Sequence, residues 1–267
     1  MWLWVTLEFG NEVSLDVLIL GCGFTGIRVA RRFLDRGARV TVTTRDPSRL
    51  AGFRANIIRL SQVPEHLRKG MLVLHSIPPE GSTLVPEMLK DAPARIVYLS
   101  STSVYGTRHL VDEESPVDID DIRARPRIAE EVRIAKGPWS ALILRPAAIY
   151  GPGRGAHESL LRGTYVAADN FVSRIHVDDL AAHSEAGLLS DVTGAFPVGD
   201  EEPATTRAVA DFCKQLLRLE ELPVTNARAS RTMANRKVDG SAIRRVLGLT
   251  LKYPSYRIGI PAALADR

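Results

Sequence analysis

A glycine-rich turn near the start of the chain constrains its fold more than any other feature. The turn is Gly21-Cys22-Gly23-Phe24-Thr25-Gly26, a GxGxxG pattern. The apolar run 15–20 before it is typical of a buried strand, and 27–37 after it has apolar residues at helical spacing and ends in glycine. A strand, this pattern and a helix in that order predict a dinucleotide-binding turn. The alternative is a glycine-rich turn in some other α/β protein.

Each glycine of such a turn has a separate physical role. The first permits the tight bend, the second lets the backbone approach the pyrophosphate, and the third lets the helix pack closely on the strand. The helix N-terminus then offers free N–H groups and a positive dipole end to the phosphates. We therefore expect six consecutive residues to bind the cofactor: Gly21, Cys22, Gly23, Phe24, Thr25 and Gly26.

The end of the second predicted strand bears on which dinucleotide is bound. A ribose with a free 2′-hydroxyl usually meets an Asp or Glu there, but this strand ends in Thr43, Thr44 and Arg45, with Asp46 one residue further on. A planar guanidinium suits a 2′-phosphate. We therefore predict that Thr44 and Arg45 contact the cofactor and that NADP(H) is preferred over NAD(H). The alternative is that Arg45 is only a solvated strand end.

Composition is that of an ordinary soluble globular protein, with 267 residues, 45% apolar and 25% charged. The net charge of +4 is too mild and too scattered to predict a nucleic-acid partner, although it suits an anionic cofactor. Cys22 and Cys213 offer neither a disulfide framework nor metal-ligand spacing, so we expect a cytoplasmic protein without a metal. The apolar start, 1–10, is too short to span a membrane.

Beyond the glycine turn the chain alternates strands and helices, which predicts an α/β fold with a Rossmann-type, doubly wound parallel sheet. The predicted strands are 56–60, 71–75, 95–100, 141–144 and 195–198. The predicted helices are 82–90, 128–135, 177–189, 205–218 and 241–247, with an extended segment at 251–256. We divide the chain into an N-terminal extension (1–14), a dinucleotide-binding domain (15–150 and 176–200) and a small C-terminal α+β substrate lobe (151–175 and 201–267).

Three further blocks carry a family resemblance. The chain reads YLSSTSVYG from Tyr98, LRPAAIYGPGR from Leu144 and RIHVDDLA from Arg174. In this order after a glycine turn, they resemble the extended short-chain dehydrogenase/reductases, the NAD(P)-dependent epimerase/dehydratase group. The resemblance covers about residues 15–200, and 235–256 resembles the tail of the same group.

The resemblance implies a catalytic set of Asn, Ser, Tyr and Lys, with the last two spaced YxxxK. Ser101 matches the serine, but the tyrosine and lysine positions fall on Arg123 and Arg127, and 75–95 contains no asparagine. Arginine cannot replace tyrosine as a proton shuttle because its pKa stays above 12, yet it can bind an anion or stabilise an alkoxide. We therefore predict an atypical member that lacks YxxxK, with Ser101, Arg123 and Arg127 as its catalytic candidates.

The same resemblance implies further contacts. It places Ser76, Ile77 and Pro78 along the cofactor, with Ser100 and Pro146 at neighbouring strand ends, and Tyr150, Arg154 and His176 on the substrate side. The alternative for the stretch after His176 is that Asp178 and Asp179 only stabilise a helix N-terminus.

Two functions remain open from the sequence. The first is an NADP(H)-dependent oxidoreductase or isomerase that acts on a small polar substrate, which would be anionic if Arg123, Arg127, Arg154, Arg236 and Lys237 converge on the cleft. The second is a non-catalytic NADP(H)-binding sensor. We expect a small-molecule partner, no nucleic acid and no membrane, and leave open the homodimer that the family often forms.

Overall fold

The structure is a computed structural model that describes residues 15–79, 85–222 and 235–266. The predicted N-terminal extension, 1–14, lies outside the described residues, as do 82–84 of the helix predicted at 82–90. The strands in chain order are β1 (Asp16–Leu20), β2 (Arg39–Thr43), β3 (Asn56–Ile58), β4 (Met71–His75), β5 (Pro93–Leu99), β6 (Leu110–Val111), β7 (Ser140–Pro146), β8 (Ala148–Tyr150), β9 (Phe171–Val172), β10 (Arg174–His176), β11 (Gly194–Val198), β12 (Ala204–Thr205) and β13 (Lys237–Val238).

Helices lie between most of these strands. They are α1 (Gly26–Asp35), α2 (Val85–Leu89), α3 (Arg125–Ala135), α4 (Ala156–Leu161), α5 (Val177–Leu188), α6 (Thr206–Leu217), α7 (Ser241–Leu247) and α8 (Tyr256–Ala265). The predicted bounds hold to within a few residues except at the C-terminus. There α8 replaces the end of the segment predicted as extended at 251–256. Gly259 and Pro261 lower its helix propensity, but the Ser255 hydroxyl caps it by accepting the Arg257 N–H at 3.2 Å.

Seven parallel strands form the central sheet, in the order β11-β7-β5-β4-β1-β2-β3. The order reverses between β1 and β4, which is the switch point where ligands bind in doubly wound sheets. This confirms the predicted Rossmann-type α/β fold. The carboxyl ends of β1, β4, β5 and β7 therefore meet at one edge, next to the glycine turn.

Both faces of the sheet are covered, as expected for near-continuous apolar strands. Along β1, Val17 and Ile19 face the layer of α1 and α5, whereas Leu18 and Leu20 face the layer of α2 and α3. Arginines of α1 also pair with α5: Arg28 with Asp178 at 2.9 Å, and Arg32 and Arg36 with Glu185. The arginine-rich face of α1 is therefore partly an interhelical contact.

The segments after β7 build a second layer beyond the strand ends. Three two-stranded pairs connect it: β8 with β10, β9 with β12, and β6 with β13. Its own apolar core includes Tyr150, Leu160, Val209 and Ile260. Asp179 at the start of α5 ties the tail to the sheet by accepting the backbone N–H groups of Lys252 and Tyr253 at 2.8 and 2.9 Å. Among the described residues, no helix is long and apolar enough to cross a bilayer.

Candidate functional site

A cavity of about 530 Å³ opens at the carboxyl edge of the sheet. Its described lining comes from three parts of the chain. The glycine turn and the turn after β4 contribute Gly21, Gly23, Phe24, Thr25, Gly26, Ser76 and Pro78. The ends of β5 and β7, together with α3, contribute Leu99 to Ser103, Arg127 and Pro146 to Ile149. The later segments contribute Arg154, Val172, Ser173, Arg236 and Val238. Three of these residues are arginines and none is acidic.

The glycine turn has the shape that a pyrophosphate requires. Gly21 has φ +89°, a conformation that favours glycine. A Cβ at Gly26 would lie 2.4 Å from the Gly21 carbonyl oxygen, whereas a Cβ at Gly23 would meet nothing within 4 Å. Gly26 therefore permits the close contact between helix and turn, and Gly23 leaves open space where the phosphates of a dinucleotide would approach.

The N-terminus of α1 is available to an anion. No side chain caps this helix, and its first turn holds no acidic residue. The turn itself is fixed from behind, because Thr43 at the end of β2 accepts the Gly21 N–H through its hydroxyl and the Cys22 N–H through its carbonyl, at 2.9 and 2.7 Å. Cys22 is buried, and burial raises the pKa of its thiol to about 11, as suits a packing residue. Free N–H groups at a helix start are the natural ligands of a diphosphate.

The end of β2 offers one cation to the ribose side. Thr44 closes the turn by accepting the Asp46 N–H at 3.1 Å, and the Asp46 carboxylate accepts the Ser48 N–H at 3.2 Å. Asp46 therefore caps the following turn instead of standing at the strand tip. Arg45 is exposed beside it. Neither Thr44 nor Arg45 is among the residues that line the cavity; both follow β2, the strand that supports the glycine turn.

Ser101 keeps a free hydroxyl proton at the cavity wall. Its Oγ accepts the Ser103 N–H at 3.1 Å, which caps the short 3-10 turn Thr102–Tyr105. Its own O–H therefore remains to be donated. Ser100, in contrast, donates its hydroxyl hydrogen bond to the Glu131 carboxylate. The same carboxylate accepts hydrogen bonds from Nε and Nη2 of Arg145 at 3.1 and 2.7 Å. This buried network holds the β5 end in place and occupies the Ser100 hydroxyl, whereas the Ser101 O–H remains available to a ligand in the cavity.

The two arginines at the tyrosine and lysine positions have different surroundings. Arg127 lies in the first turn of α3 and lines the cavity. Arg123 lies before α3, its side chain is 71% exposed, and it pairs with Asp121 at 3.2 Å. The structure therefore corrects the expectation for Arg123, which does not reach the cavity. Pro126 was the available signal, because proline favours the first turn of a helix and predicts that α3 begins after Arg123.

A buried polar cluster beside β4 and β5 supports the cavity. His75 Nδ1 accepts the Ile77 N–H at 3.3 Å, so its Nε2 carries the proton and donates to Glu130 at 3.1 Å. Burial lowers the pKa of His75 and keeps its ring neutral. Its ring centroid lies 4.8 Å from that of Tyr98, whose hydroxyl is buried. His75 thereby fixes the turn of Ile77 and Pro78, which the sequence places along the cofactor; Pro78 lines the cavity and Ile77 does not.

Two of the residues expected on the substrate side are buried away from the cavity. Tyr150 donates its hydroxyl to the Ser255 carbonyl at 3.3 Å and meets His176 edge-on at 5.2 Å between ring centroids. His176 caps α5 by accepting the Asp178 N–H at 3.2 Å and stacks on Tyr253. Both residues anchor the C-terminal tail, which corrects the expectation for them. Arg154 does line the cavity, where its guanidinium lies 5.2 Å from the Phe24 ring centroid.

The histidines and aspartates around α5 do not form a metal cluster. His183 bonds the Asp179 carbonyl at 2.7 Å, while Asp179 is occupied by the backbone of the tail. Across the described ranges, no group of three or more His, Cys, Asp or Glu side chains could hold a metal ion.

Sequence reasoning missed the roles of Glu130 and Glu131. The available signal was a pair of adjacent acidic residues on a helix predicted to pack against the sheet, because such residues require partners when they are buried. Of the five basic residues that would favour an anionic substrate if they converged on the cleft, Arg127, Arg154 and Arg236 line the cavity.

Comparisons with known proteins agree with this architecture. No protein-family model matches the chain. A Streptomyces sp. 3-diazoavenalumate denitrifying reductase is 25% identical over 240 residues, which cover 71% of this chain and 77% of that protein. A Silicibacter pomeroyi conserved protein of unknown function has 28% identity and a TM-score of 0.79, over 95% of this chain and 99% of that one.

Two further structures carry functional descriptions. A putative NAD-dependent epimerase/dehydratase from Methylobacillus flagellatus has 24% identity and a TM-score of 0.76, over 94% of this chain and 98% of that one. The Bacillus cereus UDP-glucuronic acid 4-epimerase, in complex with UDP-glucuronic acid and NAD, has 16% identity and a TM-score of 0.79, over 94% and 98%. These structures share the fold of this chain over nearly its whole length, and that fold is the Rossmann-type α/β fold that the sequence predicts.

Proposed function

We propose that the protein is an NADP(H)-dependent oxidoreductase that acts on a small, polar, anionic molecule. The observation that carries the proposal is the single cavity that joins the glycine turn to Ser101 and to three arginines, Arg127, Arg154 and Arg236. A dinucleotide on the glycine turn would supply or accept hydride. Ser101 would donate its hydroxyl to the reacting oxygen, and the arginine charges would favour an anionic substrate.

The preference for NADP(H) rests on the end of β2. Asp46 is engaged in its own turn, so it does not offer a free carboxylate to a ribose 2′-hydroxyl. Arg45 is the exposed cation at that place, and a guanidinium can bond a phosphate through two N–H groups. The Streptomyces relative is named as a reductase, which favours reduction as the reaction of this protein. We therefore place reduction ahead of isomerisation.

The alternative is a sensor that binds NADP(H) without turnover. Arg123 favours it, because the residue at the family's tyrosine position lies outside the cavity and pairs with Asp121. The two functions share the cofactor and differ in whether hydride is ever transferred.

Turnover distinguishes them. NADPH oxidation should be followed by absorbance in the presence of a panel of small carboxylates and sugar phosphates, with Ser101→Ala as the matched variant. We expect at least one anionic compound to be reduced by the wild type, and the variant to bind NADPH normally while losing turnover. NADPH binding with no oxidation across the panel would favour the sensor, and failure to bind NADPH would exclude both.

A further inference from the structure

Arg236 is a buried cation without a described counter-ion. It is only 5% exposed, and none of the ion pairs between described residues includes it. Its guanidinium donates to three backbone carbonyls, those of Thr102 at 2.7 Å, Arg108 at 3.1 Å and Gly106. Neutral carbonyls offset part of the cost of burying a charge, but a buried guanidinium is fully compensated only by an anion.

The position of this side chain is fixed by the backbone around it. Residues 235–239, here called the strap, pass between the loop before β6 and the β9–β10 segment. Arg236 exchanges backbone hydrogen bonds with Phe171 at 2.8 Å and Ser173 at 3.2 Å, and the Lys237 N–H donates to the His109 carbonyl at 2.7 Å. The Val238 N–H donates to the Ser173 hydroxyl at 2.8 Å. The guanidinium is therefore held at one place against the loop that follows Ser101.

Arg236 also has donors to spare, and it borders the cavity. A guanidinium carries five N–H groups, and three are used in the bonds described above. No second hydrogen bond joins either terminal nitrogen to a described residue. Because Arg236 lines the cavity together with Ser101, Thr102 and Ser173, the unused donors belong to the wall beside the proposed reacting group.

The other two cavity arginines have different surroundings. Arg154 is exposed and lies over Phe24 of the glycine turn, which places its charge on the cofactor side. Arg127 lies close enough to Tyr98 to oppose the rise that burial imposes on the pKa of that hydroxyl. Only Arg236 combines burial, a fixed position and contact with the loop of Ser101.

We propose that Arg236 binds the anionic group of the substrate, a carboxylate or a phosphate, and so sets the position of the substrate relative to Ser101. The inference rests on the proposed function, since it names the residue that recognises the substrate in the same cavity. The anion would complete the charge balance of a guanidinium that the protein itself satisfies only through neutral oxygens.

Binding of simple anions to the NADP⁺-loaded protein tests the proposal. Bound NADP⁺ occupies the glycine turn, so its phosphates block that anion site. We would titrate inorganic phosphate, benzoate and benzamide by calorimetry; the last two match in shape and differ in charge. We expect phosphate and benzoate to bind at least tenfold more tightly than benzamide. Equal binding of benzoate and benzamide, or no binding of either anion, would overturn the proposal.

Variants then test whether the anion binds at Arg236. Arg236→Gln should weaken phosphate and benzoate at least tenfold without changing NADP⁺ affinity. Arg207→Gln, which removes the same charge from an exposed pair with Asp169, should leave both unchanged. Arg236→Lys keeps the charge and should retain more anion binding than the Gln variant. Undiminished anion binding in a folded Gln variant contradicts the proposal.

The wild type provides a test that does not depend on the folding of variants. If Arg236 is completed by an anion, phosphate and benzoate should raise the melting temperature of the NADP⁺-loaded protein, and benzamide should not. Absence of any rise at saturating anion would count against the proposal. Failure to bind NADP⁺ at all would instead refute the proposed function, so the two failures are distinguishable.

Discussion

The glycine-turn side of the cavity is built mainly from backbone, whereas the Ser101 side is built from side chains that converge from distant parts of the chain. On the first side, Gly21, Gly23 and Gly26 act through the absence of a Cβ within six consecutive residues. On the second, Ser101 and Arg236 are 135 positions apart and meet through the strap. Local spacing therefore determines the first side, and tertiary folding determines the second.

Ser101→Ala is the strongest test of the side-chain half. The variant removes the one hydroxyl donor that we place at the reacting oxygen, so turnover should fall by about 100–1000-fold, as for loss of a single transition-state donor. Ser115→Ala is the matched control, because Ser115 does not line the cavity and its hydroxyl bonds Asp112. Steady-state kinetics check both; a Ser101→Ala enzyme with unchanged kcat would place the chemistry elsewhere.

A pair of glycine variants tests the backbone half. Gly23→Ala adds a Cβ that meets no protein atom within 4 Å, so stability should be unchanged, but NADPH affinity should fall about 100-fold because the methyl group stands where phosphate approaches. Gly26→Ala adds a Cβ 2.4 Å from a backbone oxygen and should also destabilise the fold by about 1–3 kcal/mol. Urea unfolding and NADPH titration separate the two effects. Equal stability loss in both variants would contradict the assignment of Gly23 to the cofactor.

Arg45→Ala tests the proposed preference for NADPH over NADH. Removing a guanidinium from a 2′-phosphate should weaken NADPH binding about 10–100-fold, since each 1.4 kcal/mol is tenfold, and leave NADH nearly unchanged. Arg54→Ala, at an exposed arginine in the following loop, controls for the general loss of positive charge. Calorimetric titration with both cofactors gives the ratio, and parallel losses for NADPH and NADH would remove Arg45 from the 2′-phosphate.

A buried carboxyl group in the second layer predicts a pH dependence of stability. Asp200 is 2% exposed, so its carboxyl group is largely removed from water. Burial raises its pKa to about 8, with the nearby Arg174 charge opposing the rise. Between about pH 4, the unfolded pKa, and pH 8, the folded protein holds a proton that the unfolded chain has lost, so stability should fall as pH rises through this range.

Asp200→Asn tests this pH dependence. The amide keeps the shape and cannot ionise, so the variant should melt a few degrees above the wild type at pH 8, and the difference should shrink toward pH 4. Asp191→Asn, at an exposed aspartate, is the control. A melting-temperature difference that does not change with pH would show that Asp200 does not titrate in this range.

The smallest expected effect is that of Arg123, which the structure places outside the cavity. Arg123 is exposed and paired locally, so Arg123→Ala should change kcat and KM by less than about twofold, as for other surface pairs. Arg127→Ala, four residues along and lining the cavity, should lower kcat/KM at least tenfold. A large loss from Arg123→Ala would mean that the segment before α3 moves into the cavity during turnover.

The sequence predicts the fold well because each of its signals is local. The glycine spacing, the apolar runs and the helix ends at Gly37 and Gly248 all act within a few residues, and the strands and helices follow them closely. The C-terminal helix α8 is the main exception, because its cap at Ser255 outweighs two poor helix formers.

The site is predicted only in part because its side chains depend on tertiary placement. His176 and Tyr150 belong to motifs that predict contacts with the substrate, yet both side chains instead pack and bond against the C-terminal tail. Arg236 lies 135 residues beyond Ser101 in the chain, and the strap brings it to the loop that follows Ser101. Of two arginines four residues apart, Arg127 lines the cavity and Arg123 does not, because α3 begins at Arg125 and only Arg127 lies in its first turn.

Direct titration of the wild-type protein with NADPH and with NADH tests the central claim most simply, since every proposed step depends on a dinucleotide held at the glycine turn. We predict saturable binding of one cofactor per chain, with NADPH at least tenfold tighter than NADH. Absence of binding by either cofactor would contradict the account, and tighter binding of NADH would overturn its assignment of Arg45.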